Sequence, residues 1–194
     1  MRATSDISPG DIIVKVPLNE CIISNALTPK PVDYRISMEN WNTMDYIEKT
    51  TTLVILAYES GSHKYLQTLP KHLNLIDTWE GVTGHILQLK LQRINENEKR
   101  LRKFKWCDRQ TALYFLDIVR TRSIYSDVSC GLYPLLDLFN HDTTTNKDFD
   151  YDLEYTDEYI VFRSTRYVRR GEQFFVSYGD FSVSELAYYY GIIT

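Results

Sequence analysis

Two segments near the end of the chain constrain its fold and its chemistry more than any other feature. Residues 134–141 read PLLDLFNH, and residues 171–191 read GEQFFVSYGDFSVSELAYYYG. They place an Asn-His pair ahead of two tyrosines, Tyr178 and Tyr190, each of which directly precedes a glycine. Each of these residues alone has an ordinary explanation as a turn, cap or core residue. Their common order and spacing indicate a shared site.

Composition limits the class of protein. With 194 residues, 43% of them hydrophobic and 13% aromatic, the chain can bury the core of one structural domain and is not disordered. A net charge of −4 argues against a general phosphate-binding surface, so nucleic acid is not an expected partner. No apolar run has the length of a membrane span, and the first residues lack the order of a signal peptide, so no membrane partner is expected.

The cysteines predict the compartment and the absence of a metal site. Cys21, Cys107 and Cys130 are odd in number, lie far apart and show no C-x-x-C spacing. We interpret them as reduced thiols of an intracellular protein without a zinc site. Cytoplasm, nucleus and organelle are not distinguished by this pattern.

Three zones with different periodicity predict an α+β fold. Residues 1–38 are strand-like, residues 39–125 have helical spacing, and residues 126–194 return to strands with one short helix. In the first zone, the Pro-Gly turn at 8–11 is followed by a β-branched run at 12–16, which predicts a hairpin.

An internal echo links the two ends of the chain. The first copy comprises Thr4, Ile7, Gly10, Asp11, Ile13 and Val14, and the second comprises Thr165, Val168, Gly171, Glu172, Phe174 and Phe175. We expect similar hairpins at both ends, although a turn flanked by β-branched residues also recurs by chance.

The middle zone predicts three helices. The first has an apolar stripe and could end at Gly61, although a run of three threonines makes it locally weak, so that packing must hold it. Its stripe comprises Trp41, Met44, Ile47, Val54 and Tyr58. The second stripe comprises Leu87, Leu91, Ile94 and Leu101. The charged residues 96–103 around that second stripe are interpreted as a solvated face. The third stripe comprises Ala112, Phe115, Leu116 and Val119. This third helix carries Arg120 and Arg122 at its C-terminal end, where cations suit the helix dipole.

The last zone predicts a hairpin and a capped helix. Alternating residues at 153–155 and 160–162 flank a turn at 156–158, and a second turn at 169–172 leads into residues 174–178. Ser182 and Glu185 have the spacing of a capping box, and the helix that they begin is predicted to end at Gly191.

These motifs resemble those of the SET-domain protein methyltransferases, in the branch typified by Rubisco lysine methyltransferase. That branch carries D-x-x-N-H, then G-E-x-x-x-x-Y-G, then a short helix closing on Y-G-F, and the resemblance covers nearly the whole chain at low density. It implies a SET-type β-rich fold, a β-clip with a pseudoknot, interrupted by a helical insertion. It also leads us to expect that the glycine-rich cofactor loop before Met1 and the helical substrate domain after Thr194 are missing, and that the fragment binds the cofactor weakly.

The resemblance assigns roles to the aromatic residues. Tyr178 matches the catalytic tyrosine at the methyl-transfer pore, and Tyr190 matches the tyrosine that lines the lysine channel. Ile192 stands where the family often has phenylalanine, which removes one ring near that channel.

The resemblance also implies the cofactor S-adenosyl-L-methionine. Asn140 and His141 match the pair that binds it, with the histidine acting mostly through its backbone. Arg122 matches the arginine of an S-R-x-F motif, which meets the carboxylate of the cofactor. Here residues 121–124 read TRSI, so only the arginine is retained.

The leading hypothesis is an S-adenosylmethionine-dependent protein-lysine N-methyltransferase domain that acts on a lysine side chain of a non-histone protein. Two alternatives remain open: a protein-histidine methyltransferase of the same branch, and a catalytically impaired SET-fold module that binds protein. The substrate protein, the number of methyl groups added and the oligomeric state are not predicted.

Overall fold

The computed structural model describes residues 1–141 and 151–192, and the chain divides into two compact units. The first unit contains Met1–Cys21 and Tyr133–Phe181. The second unit contains Ile22–Leu132 and Ser182–Ile193. Each unit is therefore built from two segments that are distant in sequence.

The regular elements confirm the α+β prediction. The strands are β1 (Ile12–Pro17), β2 (Ile22–Asn25), β3 (Ser123–Ser126), β4 (Ser129–Leu132), β5 (Asn140–His141), β6 (Tyr151–Tyr155), β7 (Tyr159–Ser164) and β8 (Phe175–Val176). The helices are α1 (Met38–Asn42), α2 (Tyr46–Glu59), α3 (Gly84–Leu101), α4 (Arg109–Arg122) and α5 (Val183–Tyr190). Among the described residues, no helix has the length and apolar character needed to cross a membrane.

The first unit contains an antiparallel sheet in the order β1-β7-β6. The hairpin of β6 and β7 is confirmed, since the turn between them closes with a bond from the Thr156 N–H to the Tyr159 carbonyl. The predicted N-terminal hairpin is wrong in its pairing. Its turn forms, with the Asp11 N–H bonded to the Ser8 carbonyl at 3.0 Å, but β1 pairs with the distant β7. The residues before the turn also bond to distant chain, around Val168.

The echoed segments are bonded to each other in a two-fold arrangement. Ile7 and Val168 exchange two backbone hydrogen bonds of 2.9 Å. On one side the Gly10 N–H donates to the Ser164 carbonyl at 2.7 Å, and on the other the Gly171 N–H donates to the Ala3 carbonyl at 2.8 Å. The echo therefore reflects two equivalent turns that pair with one another, and not two separate hairpins.

The predicted first helix of the second unit is two helices. Ser37 caps α1, and Asp45 begins α2 with a capping box in which Glu48 is its partner. The capping box starts a new helix because it satisfies free backbone N–H groups at that point. The apolar stripe continues across the break, with Trp41 in α1 and Met44 in the junction both buried.

The threonines of α2 are held by packing, as predicted. Thr50, Thr51 and Thr52 are all fully buried. The Thr50 hydroxyl lies 2.8 Å from the hydroxyl of Ser24 in β2 and 3.0 Å from the carbonyl oxygen of Cys130 in β4. Helix α2 is thus bonded to the antiparallel sheet β2-β4-β3 through buried hydroxyl groups.

The prediction for α4 is confirmed; for α3 the helix and the burial of Leu101 are confirmed, but the rest of the predicted buried stripe is partly wrong. The predicted stripe of α4 is buried, comprising Ala112, Phe115, Leu116 and Val119. In α3, Leu87 and Leu91 are exposed, whereas Arg93 and Asn97 are buried together with Leu101. The buried face of α3 is polar because it faces carboxylates and carbonyl groups of neighbouring elements. Part of the charged run is also not a solvated face, since Glu96 and Arg100 form ion pairs there.

Candidate functional site

The segment 134–141 begins with a strained residue. Leu135 has φ 73° and ψ −31°. Among residues 1–141 and 151–192, no other non-glycine residue has a positive φ. A branched side chain in this region costs on the order of 1–3 kcal/mol and persists only where the surroundings fix it. Residues 136–138 then form one 3-10 turn, which leads into Phe139 and β5.

Strand β5 joins the Asn-His pair to the second motif. It runs parallel to β8, with Asn140 opposite Phe175 and His141 opposite Val176. Because the pairing is parallel, the two motifs run in the same direction through this short sheet, and Tyr178 follows β8 closely. The structure therefore brings Asn140, His141 and Tyr178 together within the first unit.

His141 holds Tyr178 in two ways. The Tyr178 backbone N–H donates to Nδ1 of His141 over 3.1 Å. The two rings stack with their centroids 5.1 Å apart at 20°. Since Nδ1 accepts, we assign the proton of the neutral imidazole to Nε2. Sequence reasoning assigned His141 a role through its backbone, and it missed this role of the side chain because nothing in the spacing indicates it.

The phenol of Tyr178 has a fixed direction. Its hydroxyl donates to the carbonyl oxygen of Phe139 at 2.9 Å. Phe139 is itself buried, with the rings of Phe162 and Phe174 each 5.4 Å from its own. Because its proton is directed to this carbonyl, the phenol oxygen acts toward any further group as a hydrogen-bond acceptor.

The two residues of the first unit that are predicted to bind the cofactor, Asn140 and His141, carry polar side chains. Asn140 is exposed, and no hydrogen bond of its side-chain amide is observed within residues 1–141 and 151–192. An exposed amide offers both a donor and an acceptor, as the polar groups of S-adenosylmethionine require. The His141 ring is occupied at Nδ1 by the Tyr178 N–H, and the contact of this residue with a cofactor stays a prediction.

Three predicted residues belong to the second unit. Arg122 is the last residue of α4 and is partly buried. Tyr190 is the last residue of α5, and Ile192 follows it closely; both are partly buried. Their assigned roles stay predictions.

Helix α5 forms as the sequence predicts. Ser182 and Glu185 make both bonds of the capping box, and Gly191 ends the helix with φ 68°. A Cβ at Gly191 would lie 2.2 Å from the carbonyl oxygen of Asn74, so only glycine fits at this contact. The end of the helix that carries Tyr190 is therefore fixed closely against the loop at Asn74.

Metal ligation finds no support in the described residues. Within residues 1–141 and 151–192, no three His, Cys, Asp or Glu side chains are grouped as a metal site requires. Asn140, His141 and Tyr178 are instead a set of neutral hydrogen-bonding groups.

A family model and the most similar solved structures that we compared both indicate a SET domain. The model of the SET domain family matches residues 1–179. The SET domain of LSMT bound to lysine and AdoHcy has a TM-score of 0.76 at 19% identity, over 100% of this chain and 50% of that chain. The same domain bound to methyllysine and AdoHcy has a TM-score of 0.74 at 21% identity, over 100% of this chain and 49% of that chain. Rubisco LSMT bound to AdoMet has a TM-score of 0.73 at 20% identity, again over 100% and 49%.

This chain spans about half the length of those solved chains. A search of curated proteins gave no match. At these identities the solved structures show the fold, and the family model covers most of the sequence independently of them. The chain therefore belongs to the SET domain family.

Proposed function

We propose that this chain is the catalytic domain of an S-adenosylmethionine-dependent protein-lysine N-methyltransferase that acts on a non-histone protein. The observation that carries the proposal is the geometry of Tyr178, whose hydroxyl donates to Phe139 and whose backbone is held by His141. Further support comes from the solved SET domains, which bind lysine or methyllysine together with AdoHcy.

The difficulty of this chemistry lies in the amine. A free lysine has a pKa of about 10.4, so roughly one molecule in a few thousand is neutral at pH 7, a cost of about 4–5 kcal/mol. A site that excludes water and offers no carboxylate beside the amine lowers that cost. Neutral tyrosine hydroxyl groups suit this need because they orient an amine without stabilising its charged form.

Tyr178 is proposed to orient the amine. Because its proton is directed to the Phe139 carbonyl, its oxygen can accept a hydrogen bond from the amine N–H. Tyr190 is proposed to line the lysine channel, and Ile192 to leave more room there than phenylalanine would.

Asn140 and His141 are proposed to hold the cofactor in the first unit, and Arg122 to meet its carboxylate. When bound, S-adenosylmethionine supplies an activated methyl group on a positively charged sulfur. Asn140 contributes an exposed amide, while a guanidinium such as that of Arg122 suits a carboxylate by its paired donors.

The decisive experiment compares Tyr178→Phe with Tyr34→Phe. Tyr34 is 98% exposed, so Tyr34→Phe controls for the loss of a tyrosine hydroxyl group at a surface position outside the site. Radiolabelled methyl transfer from S-adenosylmethionine is measured with a protein extract whose endogenous methylation has been blocked, and the labelled residue is identified by mass spectrometry. We expect methyl-lysine as the product, a loss of 100-fold or more for Tyr178→Phe, and unchanged transfer for Tyr34→Phe.

Three results would contradict the proposal. Undiminished transfer by Tyr178→Phe would exclude its assigned role. Methyl-histidine as the product would favour the histidine methyltransferase. Binding of S-adenosylmethionine without transfer, or the absence of binding by calorimetry, would favour a protein-binding module. Where binding is observed, its loss on Asn140→Ala would distinguish a specific cofactor site from non-specific binding.

A further inference from the structure

Arg93 is a buried cation in the middle of α3. Its side chain is fully buried, which is costly unless each donor finds an acceptor. One terminal nitrogen donates to Asp117 Oδ1 at 2.6 Å, and the other donates to the carbonyl oxygen of Tyr188 at 2.7 Å. The third nitrogen, Nε, lies 3.4 Å from Asp77 Oδ1. The guanidinium thus links α3, α4 and the end of α5.

The carbonyl that Arg93 contacts is one that α5 leaves without a helical partner. The N–H that would reach it in a continued helix belongs to Ile192, but that N–H bonds to the carbonyl of Leu186. A cation at this end of the helix also complements the dipole. Arg93 therefore acts as a side-chain cap for the last turn of α5.

The side chain of Tyr188 is held by the same helix. Its hydroxyl donates to Glu96, one turn further along α3, and Glu96 in turn pairs with Arg100 at 3.1 Å and Arg120 at 3.3 Å. Burial, followed by this hydrogen bond, raises the pKa of Tyr188 to about 12, so the hydroxyl remains a donor. Both the carbonyl and the phenol of Tyr188 are consequently fixed on α3.

Tyr190 lies between two fixed points. Before it, Tyr188 is bonded to Arg93 and Glu96; after it, Gly191 is in close contact with the Asn74 carbonyl. Its ring also lies beside that of Tyr189, with centroids 6.4 Å apart. Little freedom remains for the backbone that carries Tyr190.

We propose that Arg93 is a positioning residue that fixes the end of α5, and through it the placement of Tyr190 and Ile192 on the lysine side of the reaction. This inference rests on the proposed function, because it assigns Tyr190 and Ile192 to the lysine channel. It predicts that loss of Arg93 weakens the apparent affinity for the acceptor protein and changes the number of methyl groups added. Binding of the cofactor is expected to be unaffected.

The test uses a double variant, Arg93→Met with Asp117→Asn, which removes the buried cation and the charge of its closest partner together. Such a replacement leaves no unpaired charge at Asp117, and Asp77, the second carboxylate near Arg93, keeps its hydrogen bond from Asn97, so we expect the fold to be retained. The Tyr188 carbonyl nevertheless loses its donor. Arg109→Met is the matched control, since the Arg109 side chain is 60% exposed and pairs with Glu98 on the surface.

Two readouts are compared with the wild-type protein. Hydrogen exchange of the amides at 187–192 is expected to become at least 10-fold faster in the double variant, while exchange in β8 stays unchanged. With the methylation-blocked protein extract as acceptor, the half-saturating extract concentration is expected to rise at least 5-fold and the ratio of mono-, di- and trimethyl-lysine to shift. The dissociation constant for S-adenosylmethionine is expected to stay within 2-fold.

A merely structural role for Arg93 would leave the acceptor dependence and the methyl ratio unchanged in a folded double variant. Unchanged exchange at 187–192, or faster exchange with unchanged acceptor dependence and methyl ratio, would overturn the proposal. Absence of transfer by the wild-type protein would contradict the proposed function instead, and the exchange measurement alone would then decide whether Arg93 anchors α5.

Discussion

His141 accepts a hydrogen bond at Nδ1 from the backbone N–H of Tyr178, 3.1 Å away, and its ring stacks on the ring of the same tyrosine. The two residues come from separate motifs, and β5 and β8 bring those motifs side by side. The side chain of His141 is therefore placed to fix both the backbone and the ring of Tyr178.

His141→Phe and His141→Ala separate these two effects. Phenylalanine preserves the stacking surface and removes the acceptor, whereas alanine removes both. We expect methyl transfer to fall about 10-fold for His141→Phe and further for His141→Ala, because small displacements of a reacting group are costly to catalysis. The rate of transfer is compared with that of His72→Phe, which alters an exposed histidine. Full activity of His141→Phe would show that the Nδ1 contact has no part in the reaction.

Local patterns predicted their elements well. The capping box of Ser182 and Glu185, the turn between β6 and β7 and the stripe of α4 each depend on residues close in sequence, so their physical causes are visible in the sequence itself. The Asp45 capping box is equally visible in the sequence, and it separates α1 from α2 where the apolar stripe alone predicts one helix.

Contacts between segments that are distant in sequence were harder to predict from the sequence. The leucines Leu87 and Leu91 suggested a buried stripe, yet the buried face of α3 carries Arg93, whose acceptors lie in three other segments. Hydrophobic periodicity assumes that a buried face is apolar, and a buried ion pair violates that assumption. The stacking of His141 on Tyr178 joins two segments that are distant in sequence, and nothing in their spacing indicates it.

Gly191 and Gly61 form a matched pair for the close contact at Asn74. Their φ angles are similar, 68° and 64°, but a Cβ at Gly191 would lie 2.2 Å from the Asn74 carbonyl oxygen, while one at Gly61 meets nothing within 4 Å. Alanine at either position costs about 1–2 kcal/mol in backbone strain. We expect Gly191→Ala to lose roughly 2 kcal/mol more than Gly61→Ala in the free energy of unfolding, measured with urea, because of overpacking. Equal losses would refute the close contact.

Thr50 tests the buried hydroxyl contacts of α2. Thr50→Val keeps the shape and removes the hydroxyl that contacts Ser24 and the Cys130 carbonyl, and we expect a loss of about 1–2 kcal/mol in the free energy of unfolding. Thr52→Val is the control, since Thr52 is equally buried but donates to the Glu48 carbonyl of its own helix, which already accepts a backbone N–H. A loss for Thr52→Val as large as that for Thr50→Val would contradict the role of the hydroxyl in joining helix and sheet.

The ionisation of Asp117 gives the protein a specific dependence on pH. Burial raises the pKa of this carboxyl to about 6, against the opposing charge of Arg93 and with a further contribution from Asp77; Arg120 also opposes the rise. The ordinary value in the unfolded chain is 3.8, so the folded protein holds the proton more tightly. The stability that Asp117 contributes is therefore fully present below about pH 4 and is lost as pH rises through 6.

Asp117→Asn removes this titration. Between pH 4.5 and 7.5, we expect the free energy of unfolding of the wild-type protein to decline relative to that of Asp117→Asn, with most of the change below pH 6.5. Asp108→Asn is the control of opposite sign, because the backbone hydrogen bond from Thr111 at the helix N-terminus lowers the pKa of exposed Asp108 from 3.8, so its own change falls below this window. If the free energy of unfolding of the wild-type protein instead rose with pH relative to that of Asp117→Asn, the pairing with Arg93 would outweigh burial, and Asp117 would be ionised throughout the range in which the protein is folded.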